Sequence, residues 1–561
     1  MCGIFGLINY GNIDRQRVYQ SFETGKNRGP ECSATKEVNN NVFFGFHRLA
    51  INGINNESNQ PFDIKNCVLI CNGEIYNFKE LANDHNIKLI TQSDCEIIIH
   101  LYKLHGIEYT LNLLDGVFAF MLYDKETDLL HIARDPYGVR PLYYSYNSNY
   151  NSYCFASELK CIKNLVEYNF KKYIKSFEPG SFLTIYNTKT IITSEQKKYI
   201  KFPFTNTIYL ESDYNNLYTN IVNKLSKAVK KRVIGTTDRP IACLLSGGLD
   251  SSLIAALVNQ ELINSNSTQK LKTFSIGLPG SEDLKYAKIV AEHINSEHYE
   301  IVLSEDKFFH AIPEVIYNIE SYDTTTVRAS VGNYLIAKNI RNYSDCKVIF
   351  NGDGADELMG GYLYFKHSPN EFEFDKECKR LLTDIHNFDV LRSDKSISSN
   401  GLEPRTPFLD REWTEFYLSI DKKLRYNTTV NNCEKYLIRK AFSIIKPDLL
   451  PNNILWRTKE AFSDGVSSLD KSWYQIINEK INGLYELEYD IINIGIQYKN
   501  NKSIRNTPIT TEQCYYRYLF NNYYFGCDNI IPYYWMPKFI NASDASARTL
   551  SFYKQNNSNM E

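Results

Sequence analysis

The chain lacks several features that would point to particular roles. Its net charge is only −2 over 561 residues, so there is no basic surplus for nucleic acid or for an anionic membrane surface. No apolar run approaches the roughly 20 residues of a membrane-spanning helix. The 13 cysteines are scattered without a single CxxC pair, which argues against both a disulfide framework and a structural zinc site. The phosphate-binding loop GxxxxGK(S/T) is absent throughout. The opening MCGIFGLINYG has no basic segment ahead of an apolar one, so no secretory leader is expected and the expected location is cytoplasmic. What remains is an ordinary soluble composition, 43% hydrophobic and 23% charged. The length allows about two to four domains. The 42 tyrosines, with abundant Asn, Ile and Lys, match an A+T-rich coding bias and carry no functional signal.

Two hydrophobic patterns divide the chain. In the first third, short alternating runs recur: VFFGFHRLAI, CVLICNGEIYN, FAFMLYD, LLHIARD, PLYYSY and YCFAS. They predict antiparallel strands, with KETD and NSNYNS as hairpin connections. DCEIIIHLYKLHG predicts a helix stopped by a glycine. After about residue 210 the pattern becomes strand–helix alternation: IACLLS, SSLIAALVNQELI, KTFSIGL, DLKYAKIVAEHIN, HYEIVL and CKVIFNG. The reading is a two-domain α/β and α+β protein. Stacked antiparallel sheets flanked by helices come first, then a doubly wound parallel sheet with extra helices. The expected domains are 1–200 and 215–540, joined by FPFTNTIYLESDYNN and followed by a tail, 541–561, whose polar end YKQNNSNME is expected to fray. The aromatic stretch CYYRYLFNNYYFG reads as packed core rather than a binding platform.

Cys2 is the first residue with chemistry to offer. If Met1 is removed, a thiol and a free α-amine share one residue, a nucleophile with its own base. Asn72-Gly73-Glu74 ends an apolar strand, where the Asn72 amide and backbone N–H groups can face a developing oxyanion; a plain Asn-Gly turn is the alternative. Asp94 stands at a helix start, as a functional carboxylate or as a cap. Arg48 follows a strand and could be a surface ion pair. In the second half, Ser246-Gly-Gly-Leu-Asp-Ser-Ser252 follows a strand and opens a helix, a geometry that suits an anion as well as a serine-capped turn. Asn351-Gly-Asp-Gly-Ala-Asp-Glu357 follows another strand, and Asp250 and Asp356 are the candidate ligands for a magnesium ion bridging phosphates.

MCGIFG, RGP, RLAI, NGEIYN, SDCE, GVFAF and ARDPYGVRPLYY resemble the N-terminal-nucleophile glutamine amidotransferase domain. The resemblance implies that Cys2 attacks the glutamine carboxamide, with Asn72 and Gly73 as the oxyanion hole. It implies a glutamine pocket made by Arg48, Leu49, Ala50, Ile51, Asn52, Asn72, Gly73, Glu74 and Asp94. Asn27 departs from the family's usual histidine before RGP. SGGLDSS resembles the pyrophosphate loop of ATP pyrophosphatases. Together with SYDTTTVRAS, GGYLYFKHSPNE, EPRTPFLD, WRTKEAFSDGV, WMPKF and NASDASAR, it makes nearly the whole chain similar to class-B, glutamine-hydrolysing asparagine synthetases.

That family implies aspartate activation by ATP–Mg²⁺ to β-aspartyl-AMP, then attack by ammonia that has crossed an interdomain tunnel. It implies ATP contacts from Leu244, Ser246, Gly247, Gly248, Asp250, Ser251, Ile276, Asn351 and Gly352. It further implies aspartate contacts from Thr325 and Arg328, and phosphate neutralisation by Lys459. Asp353 stands where many close asparagine synthetases carry glutamate, in a GEGxDE pattern, as the residue assisting the intermediate or deprotonating ammonia; other branches of the wider family look like GDGxDE, so activity is expected. The expected partners are the small molecules glutamine, aspartate and ATP, without nucleic acid or membrane, and a homodimer is left open. The competing readings are a relative that adenylates another carboxylate, such as a β-lactam synthetase-like cyclase, and a silent regulatory homologue.

Overall fold

A computed structural model describes residues 1–549 apart from 12, 194–195, 202–206, 236, 268, 427–432, 485–486 and 501–504. Part of the expected linker (202–206) and the whole polar end 553–561 lie outside the described residues.

The N-terminal half contains two antiparallel sheets. The first has the order β10 (Lys175–Ser176), β8 (Tyr143–Asn147), β9 (Ser152–Ala156), β1 (Gly3–Ile8), β3 (Val42–Arg48), β2 (Cys32–Asn39). The second runs β12 (Ile192–Thr193), β11 (Ser181–Asn187), β7 (Leu129–Arg134), β6 (Gly116–Asp124), β5 (Cys67–Ile75), β4 (Phe62–Ile64), with β13 (Lys197–Lys198) beside β11. Side chains alternate across each strand. In β5, Val68 and Ile70 enter the core between the sheets, with Ile4, Phe44 and Met121. Cys67, Leu69 and Cys71 enter the outer core, against the helices Phe78–Asp84, Ile97–His105 and Ile107–Leu113. The expected hairpins and the glycine stop are present: Gly106, at φ +77°, ends the helix Ile97–His105.

The C-terminal half is built on five parallel strands in the order β16 (Glu297–Val302), β15 (Lys272–Gly277), β14 (Ile241–Leu244), β17 (Val348–Phe350), β18 (Glu403–Arg405). Both faces are covered, since Ile241 and Cys243 enter one core and Ala242 the other. Sheet growth reverses between β14 and β17, and a doubly wound sheet opens a crevice at such a reversal, beyond the strands' carboxyl ends. SGGLDSS follows β14 and NGDGADE follows β17, so the topology alone brings the two motifs together.

Buried charges join the halves. Arg28 reaches Glu158 at 2.7 Å and Asp394 at 2.8 Å, and Lys160 reaches Glu158 at 2.8 Å. Lys395 pairs with Glu320, and Arg140 lies 3.5 Å from Asp394 and 3.8 Å from Glu403. All these side chains are buried, so the ions must satisfy one another. Residues 541–549, expected to begin a tail, instead dock on the C-terminal half. Ser546 donates to Asp464 at 2.8 Å and Arg548 to Glu460 at 2.9 Å. The aromatic stretch is packed core: the helix Thr511–Tyr524 buries Tyr515, Tyr516, Phe520 and Tyr524.

Candidate active sites

Cys2 directly precedes β1, and the β1–β3 register pairs Gly3 with His47, which sets Cys2 beside Arg48 and Leu49. Its Sγ lies 3.6 Å from the Leu49 carbonyl oxygen. Burial pushes the thiol above its ordinary range, opposed by the nearby chain amine. Met1 is fully buried, its amine 3.4 Å from the Leu402 carbonyl oxygen, and burial pushes that amine down to about 6. While Met1 is attached, the Cys2 nitrogen is an amide and not a base. Arg28 donates to the Cys2 carbonyl at 2.9 Å, linking the Cys2 backbone to the ion network between the halves.

Asn72 and Glu74 share one face of β5. The Asn72 amide is fully buried, and neither Oδ1 nor Nδ2 has a hydrogen-bond partner. An orphaned buried amide is costly, and a ligand that pairs with it recovers that cost. Gly73 must be glycine, because a Cβ there would lie 2.5 Å from the Val117 carbonyl oxygen. Glu74 accepts from Asn52 Nδ2 at 3.1 Å, and Arg405 of β18 stands 3.3 Å from the same carboxylate. Burial, then Glu403 and Asp94, push the Glu74 carboxyl well up.

Asp94 is not a helix cap: Ser93 caps the turn Asp94–Glu96, and the Asp94 carboxylate accepts from Ile75 N at 2.6 Å. Burial pushes Asp94 up to about 6. Arg48 is not a surface ion pair either. Its guanidinium is buried and donates to Asn55 O at 3.0 Å, Asn59 Oδ1 at 2.6 Å and the Gly53 carbonyl. Ala50 and Ile51 are stapled across the halves, Ala50 O accepting from Arg239 at 2.8 Å and Ile51 O from Asp238 N at 2.8 Å.

In the C-terminal half a cavity of about 160 Å³ opens at the β14/β17 reversal. Leu244, Ser246, Gly248, Asp250, Ser251, Ile276, Thr325, Asn351, Gly352, Asp353, Asp356 and Lys459 all line it. The Ser246 and Ser251 hydroxyls are 3.0 Å apart at the start of the helix Leu249–Asn264, and Thr325 Oγ1 is buried without a partner. Gly352 permits close approach of the two motifs, because a Cβ on it would lie 2.8 Å from Asp250 Cβ. Asp353 stands 3.2 Å from Arg392, whose guanidinium also lies 2.6 Å from Asp389. Burial pushes Asp353 up, opposed by Arg392.

Two of the expected residues sit elsewhere. Gly247, at φ +71°, backs onto the helix Glu282–His293, where a Cβ would lie 2.4 Å from Ala287 N. Arg328 is turned away from the cavity lining and saturated. It donates to Glu512 at 2.8 and 2.6 Å and to Asp544 at 2.7 and 2.8 Å. A guanidinium engaged by two carboxylates presents no free edge here, and these contacts tie the segment 541–549 to the helix Thr324–Tyr343.

The candidate metal ligands are bridged by cations. Lys459 Nζ is 2.6 Å from Asp356, and Lys435 Nζ is 2.5 Å from both Asp250 and Asp356. Against burial, Lys435 and Lys459 hold the Asp356 carboxyl well below its ordinary range, and Asp356 and Asp250 hold the Lys459 ammonium above its own. Lys435, Arg392 and Arg405 were missed by the sequence reading. Arg405 lies within EPRTPFLD, but neither that stretch nor the sequence around Lys435 and Arg392 names their partners, and only the fold brings these cations to the two sites.

The family model described as a glutamine amidotransferase domain matches residues 1–200, and the one described as asparagine synthase matches 220–373 and 366–486. Proteins named asparagine synthetase (glutamine-hydrolyzing) are 40% identical in Homo sapiens and Pongo abelii and 39% identical in Gallus gallus, each alignment covering 99% of both chains. Fold, sites and comparisons together define a two-domain glutamine amidotransferase. Within that class, the chain belongs to the glutamine-hydrolysing asparagine synthetase family.

Proposed function

We propose that this chain makes asparagine from aspartate, drawing nitrogen from glutamine and activating aspartate with ATP. The observation that carries the reading is the pairing, in one chain, of the Cys2 pocket with a motif-lined cavity at the sheet's reversal point. Residues 1–200 serve as the glutaminase and 215–540 as the synthetase.

At the first site, removal of Met1 frees the Cys2 amine to take the thiol proton. The thiolate attacks the glutamine carboxamide carbon, and the oxyanion receives hydrogen bonds from the Asn72 amide and the Gly73 N–H. As the intermediate collapses, the Cys2 ammonium returns its proton to the leaving nitrogen, ammonia departs and a thioester remains, which water hydrolyses to glutamate and the free thiol. Arg48 suits the substrate's α-carboxylate, Glu74 and Asp94 its α-ammonium, and Leu49, Ala50, Ile51 and Asn52 form the wall.

At the second site, a β-carboxylate oxygen of aspartate attacks the α-phosphorus and pyrophosphate leaves. Ammonia then attacks the acyl carbon and AMP departs. Ser246, Gly248 and Ser251, with Gly247 shaping the loop, cradle pyrophosphate at the helix N-terminus. Leu244, Ile276, Asn351 and Gly352 bound the nucleotide, Thr325 offers its unpaired hydroxyl to aspartate, and Lys459 neutralises phosphate charge. Asp353, a carboxylate on the cavity wall, takes a proton from the nitrogen as ammonia adds.

Asp250 and Asp356 fit a magnesium ion. They are oxygen donors, Asp250 Oδ1 is buried without a hydrogen-bond partner, and a site of one or two carboxylates completed by substrate phosphates is usual for this ion. When bound there, magnesium supplies charge neutralisation to the phosphates. Among the described residues no helix is long and apolar enough to cross a membrane.

The test is asparagine formation from aspartate and ATP–Mg²⁺, with glutamine or ammonium supplied separately, for the wild type and for Cys2→Ala. Both donors should support the wild type and only ammonium the variant. Glutamate release without asparagine or pyrophosphate would remove the synthetase reading.

A further inference from the structure

Lys435 carries a buried charge between the two candidate metal ligands. It is almost completely buried, yet its ammonium lines the cavity and sits between Asp250 and Asp356. Its backbone is left-handed, φ +56° and ψ +31°, directly ahead of the helix Tyr436–Ile445. A non-glycine residue held there is strained, and such strain collects at functional sites. Gly361 is shaped around it as well, because a Cβ at 361 would lie 2.0 Å from Lys435 Cε and 2.1 Å from Asp356 Oδ1. The neighbouring Glu434 is no competitor for the ammonium, being engaged by Arg439.

Structural duty alone explains this poorly. Asp250 and Asp356 already have Lys459 within 3.7 and 2.6 Å. A second buried ammonium brings the four-residue cluster to zero net charge, and desolvating two ion pairs where apolar packing would serve is a net cost for stability. The cluster becomes useful when an anion of high charge arrives.

We propose that Lys435 is a second phosphate-binding residue of the synthetase site, which together with Lys459 grips the β- and γ-phosphates of ATP. The assignment rests on the reading of this cavity as the nucleotide site. Its chemical role follows from the bond that breaks. As an aspartate carboxylate oxygen bonds to the α-phosphorus, the bond from that phosphorus to the α,β-bridging oxygen breaks. Its electron pair stays on the departing pyrophosphate, where two ammonium groups stabilise the added charge. Asp250 and Asp356 hold both lysines at the cavity wall, so little reorganisation is needed when phosphate oxygens arrive.

The test compares equilibrium binding of ATP, pyrophosphate and AMP, with magnesium present, by titration calorimetry on the full chain. Wild type, Lys435→Gln and Lys435→Arg are measured side by side. Loss of one charge-assisted contact should weaken ATP and pyrophosphate about tenfold or more and leave AMP, which lacks those phosphates, unchanged. Lys435→Arg should recover part of the loss. Equal weakening of AMP and ATP, or unchanged ATP and pyrophosphate, would overturn the assignment and leave Lys435 as an internal counter-ion. If Lys435→Gln does not fold, the charge-retaining Lys435→Arg still decides between these outcomes, because displacing the charge should move pyrophosphate affinity and not AMP affinity. A wild type that binds neither ATP nor pyrophosphate would instead overturn the nucleotide reading beneath it.

Discussion

Arg405 stands 3.3 Å from Glu74, although one belongs to the edge strand of the parallel sheet and the other to β5 of the N-terminal half. The carbonyl of the same arginine accepts from Asn351 N at 3.1 Å, at the head of the NGDGADE motif. One residue thus touches the machinery of both sites. Burial and the neighbouring Glu403 and Asp94 push the Glu74 carboxyl up, and Arg405, with Arg140, opposes them. Arg405→Lys, which shortens the reach and loses the fork, should favour protonated Glu74 and weaken its grip on the substrate ammonium. The expected result is a glutamine KM raised about tenfold, with ammonium-dependent synthesis much less affected. Steady-state kinetics with the two nitrogen donors checks this.

Arg328 separates a substrate role from an anchoring one. Arg328→Gln leaves Glu512 and Asp544 facing each other without a cation, which should cost about 3–5 kcal/mol of stability. The segment 541–549 should become sensitive to limited proteolysis and the melting temperature should fall. A raised aspartate KM with an unchanged melting temperature would return Arg328 to the substrate.

Asp353 tests how far the shorter carboxylate serves. It stands 3.2 Å from Arg392, so Asp353→Asn should lose the ion pair and slow ammonium-dependent asparagine formation by about 100-fold, while glutamine hydrolysis persists. Asp353→Glu adds one methylene against the same arginine and should stay within about tenfold of the parent rate. Asparagine and pyrophosphate assays on both variants read the difference.

The pH dependence of stability follows from two opposed sets of carboxyls. Asp94, Asp283, Asp323 and Asp464 are each pushed from 3.8 to about 6, chiefly by burial. Between those values the folded chain holds protons that the unfolded chain has released. Their contribution is therefore fully present below about pH 4 and lost as pH rises through about 6. Glu158 is the reverse case: against burial, Lys160, Lys395 and Arg28 hold it well below the ordinary range, so its contribution is present above about pH 4.5 and lost under strong acid. The melting temperature should be higher near pH 5 than at pH 7.5, then fall on further acidification. Asp464→Asn should flatten the upper slope in a pH series of thermal melts.

The motifs carried much of this in plain letters. The apolar run Cys67–Cys71 declared a strand, one that the structure buries on both faces, and the glycine of DCEIIIHLYKLHG marked a helix end that the structure places at Gly106. SGGLDSS and NGDGADE were separated by about a hundred residues, yet each followed an apolar strand, which is enough to bring them together at a sheet reversal. What stayed hidden depends on distant packing. Nothing near Lys435 in sequence announces Asp250 or Asp356, and nothing near Arg328 announces Asp544. Long cations choose partners only after the chain has folded, and a residue's local pattern does not encode them.

The ion network around Arg28, Glu158, Asp394, Lys395 and Glu320 also limits what can be done with the parts. A glutaminase half transplanted from another amidotransferase would bring its own charges to this seam, and one mismatched sign would strand a bare ion in the interior. The two halves are therefore not interchangeable cassettes. A working chimaera has to carry the acidic and basic residues of both sides as one inherited set.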